Sequence, residues 1–117
     1  MTTTNVTKAI PVSNEKVLES ALKVLSELHI RGTFVDRLGQ TYNLLFFADR
    51  DTGRTVAHKI AEYGNDNDQR WMALNVGYLR DKKGISVAQV AAENTDSDNA
   101  KMIRLNVPEL MRKEKIA

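Results

Sequence analysis

The chain has no cysteine. Disulfides, zinc–thiolate sites and thiol nucleophiles are therefore excluded, and the composition is compatible with a reducing compartment. Histidine is nearly as scarce: His29 and His58 are the whole imidazole supply. Proline occurs twice and tryptophan once. Long apolar runs are missing too, since nothing approaches the roughly 20 residues that a membrane-spanning helix needs. The opening MTTTNVTKAIPVSNEK carries no basic residue before Lys8 and resembles neither a secretory leader nor a membrane span. A cytoplasmic protein without membrane association is expected. Charge of one sign is not concentrated anywhere. The net charge of +2 divides into +1 over residues 1–48, zero over 49–107 and +1 over 108–117. That leaves no basic tail of the kind that binds nucleic acid through its charge alone.

Catalytic signatures are equally missing. No Gly-x-Gly-x-x-Gly, no phosphate loop ending in Gly-Lys-Ser/Thr and no Gly-x-Ser-x-Gly elbow occurs. The carboxylates of Asp49 and Asp51, and of Asp66 and Asp68, stand where turns and helix caps use such residues, and cation binding is the weaker reading. No cofactor, no metal ion and no enzymatic activity are expected. The length of 117 residues, with 42% hydrophobic and 27% charged residues, is that of one soluble domain able to bury a core unaided.

What the chain does contain is a repeat. At a shift of 31 residues, Gly53 to Val76 (GRTVAHKIAEYGNDNDQRWMALNV) aligns without a gap with Gly84 to Val107 (GISVAQVAAENTDSDNAKMIRLNV). Gly53/Gly84, Val56/Val87, Ala57/Ala88, Ala61/Ala92, Glu62/Glu93 and the Leu-Asn-Val endings are identical. Each unit reads as a turn ending in glycine, a short alanine-rich helix, a polar connector and a second helix with an apolar stripe. Glycine supplies the turn's positive φ without steric cost. Thr55 and Ser86 are the expected caps of the first helices, residues 66–68 and Ser97 or Asp98 those of the second. The small side chains of Ala57, Ala61, Ala88, Ala91 and Ala92 let successive first helices approach closely. Trp71, Met72, Leu74, Met102, Ile103 and Leu105 are expected to fill the layer behind.

The pattern Asp51-x-Gly53-x-Thr55-x-Ala57-His58-x-x-Ala61-x-x-Gly64, with its turn, two helices and a period near 33, resembles the ankyrin repeat. The second unit keeps Gly84, Ser86, Ala88, Ala91 and Ala92 but has Gln89 in place of the histidine and Thr95 in place of the closing glycine, and Val56 and Val87 replace the usual proline. Such departures are similar to those of degenerate bacterial and phage-type repeats. The resemblance covers residues 49–107. It implies that Thr55 and His58, and by analogy Ser86 and Gln89, are structural, the histidine fastening adjacent units rather than acting as a base. It also implies a mainly α fold, a short stack of helix-turn-helix repeats with an N-terminal helical cap.

Around the repeats the chain divides into a loose N-terminus (residues 1–12), a capping region (13–48), repeat 1 (49–79), repeat 2 (80–107) and a C-terminal helix or tail (108–117), all within a single domain. NEKVLESALKVLSELHIR at 14–31 predicts a helix that starts after Pro11 at a Ser13 or Asn14 cap and stops at Gly32, with Val17, Leu18, Ala21, Leu22, Leu25 and Leu28 on its apolar face. Residues 33–48 fit either a helix or a hairpin, and the position before the first turn favours the helix. Pro108 suits the first position of a terminal helix.

Function divides into classes. The resemblance implies a non-catalytic module that binds another protein through turn tips and the concave face of the first helices. Those positions are Arg50, Asp51, Thr52, Arg54, Lys59, Glu62 and Tyr63 in unit one, and Asp81, Lys82, Lys83, Ile85, Val90 and Glu93 in unit two. A small inhibitor or adaptor of bacterial or phage origin is the natural version. Exposed Tyr63, Ile85 and Val90 would supply apolar contact among charges. Nucleic-acid association through Arg80, Lys82 and Lys83, joined by Arg104, Arg112, Lys113 and Lys115, is the alternative, weakened by Asp81, Glu109 and Glu114. A subunit that stacks on a second copy of itself is a third class. Trp71 reads as core rather than interface anchor.

Overall fold

A computed structural model of the chain describes residues 9–31 and 42–113. Residues 1–8, 32–41 and 114–117 lie outside the described residues, and with them the Gly32 stop, the first part of the ambiguous segment and Lys115. The described chain is mainly helical. It runs β1 (Ile10–Val12), α1 (Asn14–Arg31), a 3-10 turn (Tyr42–Phe46), β2 (Phe47–Asp49), α2 (Val56–Tyr63), α3 (Asp66–Val76), α4 (Val87–Asn94), α5 (Ser97–Asn106) and a second 3-10 turn (Pro108–Leu110).

Two helical hairpins, α2–α3 and α4–α5, follow one another. The second lies against the first, with α4 packed on both α2 and α3, and α5 on α3. Among the described residues no side chain needs to bridge a gap between the first helices: Ala57, Ala61, Ala88 and Ala91 are fully buried and Ala92 nearly so. Val56, Ile60, Met72, Val76, Val87 and Ile103 fill the layer around them without exposure. Enlarging Ala61 or Ala92 to Leu therefore overpacks the seam, and each substitution is expected to lower the unfolding free energy by about 1–3 kcal/mol in urea titrations. Wild-type stability in both variants would contradict close helix stacking.

The back layer is less buried than its sequence suggests. Met72 and Ile103 are in the core and Trp71 and Met102 are half-buried, but Leu74 is 42% and Leu105 71% exposed. The caps sit one residue or more earlier than expected: Asn65 starts α3 in a capping box with Asp68, and Asp96 starts α5 by accepting from Asn99. Thr55 and Ser86 cap α2 and α4 as expected.

The N-terminal side also departs from expectation. The segment before the first turn is not a helix where it is described. Its last residues form a 3-10 turn that buries Leu45 and Phe46, followed by β2. Nor is the whole of residues 1–12 loose, because Ile10–Val12 pair in parallel with Phe47–Asp49, Ile10 opposite Phe47 and Val12 opposite Asp49. Helix α1 starts at Ser13, whose hydroxyl accepts from the Lys16 N–H at 3.2 Å. It packs on α2, β2 and the first 3-10 turn. Its buried stripe is Val17, Ser20, Ala21 and Val24, turned one step from the expected face, so Leu18 and Leu22 point outward.

Candidate functional site

Each hairpin is preceded by a tight turn organised by one aspartate. In the first, the Asp49 N–H donates to Arg54 O at 2.9 Å and the Gly53 N–H to Asp49 O at 2.8 Å. The Asp49 carboxylate accepts from the N–H groups of Asp51 (2.7 Å) and Thr52 (3.2 Å). In the second, the Asp81 N–H donates to Ile85 O at 3.0 Å and the Gly84 N–H to Asp81 O at 2.9 Å. The Asp81 carboxylate accepts from the N–H groups of Lys83 (2.9 Å) and Ile85 (3.0 Å). Gly53 and Gly84 hold φ of +76° and +82°, a region that side chains disfavour.

The two turns are joined side to side. The Lys82 N–H donates to Thr52 O at 2.9 Å, the Lys82 ammonium to Arg50 O at 2.5 Å, and the Arg54 guanidinium reaches Asp81 at 3.3 Å and Glu62 at 3.4 Å. A cleft of about 230 Å³ lies between them, lined by Asp51, Thr52, Arg54, Asp81, Lys82, Lys83 and Ile85. One backbone bond and the side chains of Lys82 and Arg54 thus fix how far apart the turn tips stand, and the exposed charges of Arg50, Asp51 and Lys83 ride on that frame.

His58 holds the frame from below. The ring is fully buried. Its Nδ1 accepts from the Thr55 N–H at 3.0 Å, so the proton is on Nε2, which donates to Ile85 O of the second turn at 2.9 Å. The His58 N–H in turn donates to the Thr55 hydroxyl at 3.1 Å, which completes a capping box with histidine in its third position. Burial is the main cause that pushes the imidazole pKa down to about 4. The Ile85 carbonyl, Asp81 and Glu62 oppose that shift, and Arg54 adds to it. A neutral ring with both nitrogens engaged has no lone pair to offer a substrate or a metal. In the second unit Gln89 keeps the capping box, accepting from the Ser86 N–H at 3.0 Å. The outward bond there comes from the Ser86 hydroxyl, which donates to Leu110 O at 2.6 Å.

Of the remaining positions, Lys59, Glu62 and Tyr63 lie along the outward side of α2. Tyr63 is 71% exposed, with the Lys59 ammonium 5.8 Å from its ring centre. Glu93 is exposed on α4 and Ile85 is half-buried. Two positions are corrected. Val90, expected as exposed apolar contact, is buried at 4%, because α4 needs an apolar side chain there to close the core. Asp81, expected at a tip, is buried at 3%, its oxygens spent on two N–H groups and Arg54. Arg80, expected in a basic cluster with Lys82 and Lys83, instead donates its guanidinium to Gly84 O and Arg112 O, each at 2.7 Å, and so clamps the tail. Arg80 is therefore directed at backbone carbonyls of this chain rather than joining Lys82 and Lys83 in a basic cluster.

No group of three or more histidine or acidic side chains suited to a metal ion occurs among the described residues, and no helix there is long and apolar enough to cross a membrane. Compared with family models, with curated proteins and with solved structures, the chain gives no match.

Proposed function

We propose that the two hairpins and their glycine turns form a short ankyrin-like stack that works inside the cell as a non-catalytic module for binding another protein. The observation that carries this reading is the bonding of one turn to the next through Lys82, Thr52 and Arg50. A partner then meets tips that are already ordered, and ordering entropy is not lost on association. Charged tips beside an exposed aromatic, Tyr63, give the mixture of polar rim and apolar anchor common at interfaces. Burial of His58 with both ring nitrogens bonded supports a fastening rather than a catalytic role. A small inhibitor or adaptor acts in this way, by occupying a partner's surface.

The test is capture from a cell extract by the immobilised protein, with mass spectrometry of what is retained, repeated with the triple variant Tyr63→Ala, Lys82→Glu, Lys83→Glu. Tyr63 and Lys83 are exposed, and although Lys82→Glu removes the ammonium's bond to Arg50 O, the Lys82 N–H to Thr52 O bond remains, so the variant should stay folded with a melting temperature only a few degrees lower. Charge reversal is expected to slow association and loss of Tyr63 to speed dissociation. A specific protein retained by the wild type and lost by the folded variant supports the reading. Equal retention by both would rule out this surface.

A further inference from the structure

The back of the two hairpins carries a second surface. Helices α3 and α5 pack side by side and occupy equivalent places in successive units. On both, a cation stands one turn before an exposed leucine: Arg70 before Leu74, and Lys101 before Leu105. Leu74 is 42% and Leu105 71% exposed, while Tyr78, just beyond α3, is 46% exposed. Trp71 and Met102, also in equivalent places, are half-buried three residues before the two leucines. Past the first turn of each helix every charge is positive, namely Arg70, Lys101 and, on the far edge of α5, Arg104. The exposed acids, Asp66 and Asp98, are confined to the first turns. The Asp66 carboxylate is already engaged by the Thr95 hydroxyl and the Asp96 N–H.

Single exposed leucines are ordinary, but a leucine exposed at the same place in both units beside Trp, Tyr, Met and Arg is the composition of an interface. Neither leucine is needed for the stack: the core behind them is closed by Met72 and Ile103. We propose that the outward face of α3 and α5 docks an acidic amphipathic helix. Two adjacent helices can receive a third along its apolar stripe, here with Leu74 and Leu105 as the exposed apolar contacts. The rim of Arg70, Lys101 and Arg104 selects carboxylates flanking that stripe. This surface lies on the second helices, so its occupation is independent of the turn tips and α2.

The single tryptophan, half-buried on α3 three residues before Leu74, reports on this face. The probe is a synthetic helical peptide with leucine along one face and glutamate at the flanking positions. Titrated into the full chain, it should change the Trp71 emission saturably, with an affinity that falls as salt rises. The double variant Lys101→Glu, Leu105→Asp alters two exposed side chains and should keep its melting temperature while binding at least about tenfold more weakly. The variant Arg70→Glu should also bind more weakly, and the turn variant Lys82→Glu, Lys83→Glu should bind as the wild type does. Equal peptide affinity in wild type and double variant would overturn the proposal. So would a Trp71 response to vesicles containing phosphatidylserine but none to the peptide, which would make this a lipid-facing surface instead.

Discussion

Unfolding measured in urea between pH 7.5 and pH 5 should show the protein losing stability as acid is added, and the His58→Gln variant should lose much less over the same range. The folded-state pKa of His58 is about 4, against the ordinary 6.5. A base whose pKa is depressed on folding binds its proton more readily when unfolded. Its contribution is therefore fully present above pH 6.5 and is lost progressively as pH falls from 6.5 towards 4. Over the whole window that linkage amounts to about 3 kcal/mol. Protonation conflicts with the geometry at one atom: Nδ1 would receive a hydrogen where the Thr55 N–H already points. Glutamine is the informative replacement because Gln89 shows that it can serve the capping box. What it cannot supply is the bond to Ile85 O across the units. At pH 7.5 His58→Gln should therefore cost about 1–3 kcal/mol, the range for a lost bond with a buried carbonyl left unpaired. An unchanged pH slope in the variant would show that His58 is not the group responsible.

Gly53→Ala should be nearly as damaging, at about 2–3 kcal/mol, although the position is on the surface side of a turn. The left-handed conformation at φ +76° alone costs a side chain about 1–2 kcal/mol. A Cβ there would also stand 2.8 Å from the Lys82 backbone nitrogen and 2.9 Å from its Cγ. The second turn must retreat, and the Lys82 N–H to Thr52 O bond goes with it, a further loss of about 1 kcal/mol. Lys83→Ala, an exposed side chain of the facing turn, is the control and should change stability by only a few tenths of a kcal/mol. The two variants are compared by urea unfolding at one pH. Equal effects would mean that neither the positive φ nor the neighbouring turn constrains Gly53.

The repeat made the frame legible in advance. Gly53 and Gly84, Thr55 and Ser86, and the alanine seam were recoverable because each position is written twice, and a requirement that recurs at a fixed spacing stands out from local noise. The misses have physical causes. Asn65 and Asp96 each begin a polar run in which several residues could cap, and only the extended backbone of the true cap decides among them. Val90 was read as exposed from its equivalence with Lys59, when its own apolar character was the better guide. Asp81 belongs to an Asp-x-x-Gly turn, whose carboxylate characteristically folds back on the following N–H groups; that signal was in the sequence. The pairing of β1 with β2 is different in kind. It joins three-residue segments far apart in the chain, one of them holding Pro11, and nothing local to either announces the other.

The end of the array has its own logic. Where the first unit meets the second, His58 of one donates to Ile85 O of the next, and buried Ala73 leaves room for it. At the last unit the counterpart of Ala73 is exposed Arg104, and the tail's Leu110 carbonyl accepts from Ser86, with Arg80 holding Arg112 O beside it. The backbone at 110–112 thus holds the second unit much as the Ile85 carbonyl of the second turn holds the first. The Arg80 guanidinium and the Leu110 carbonyl are thereby already engaged within this chain.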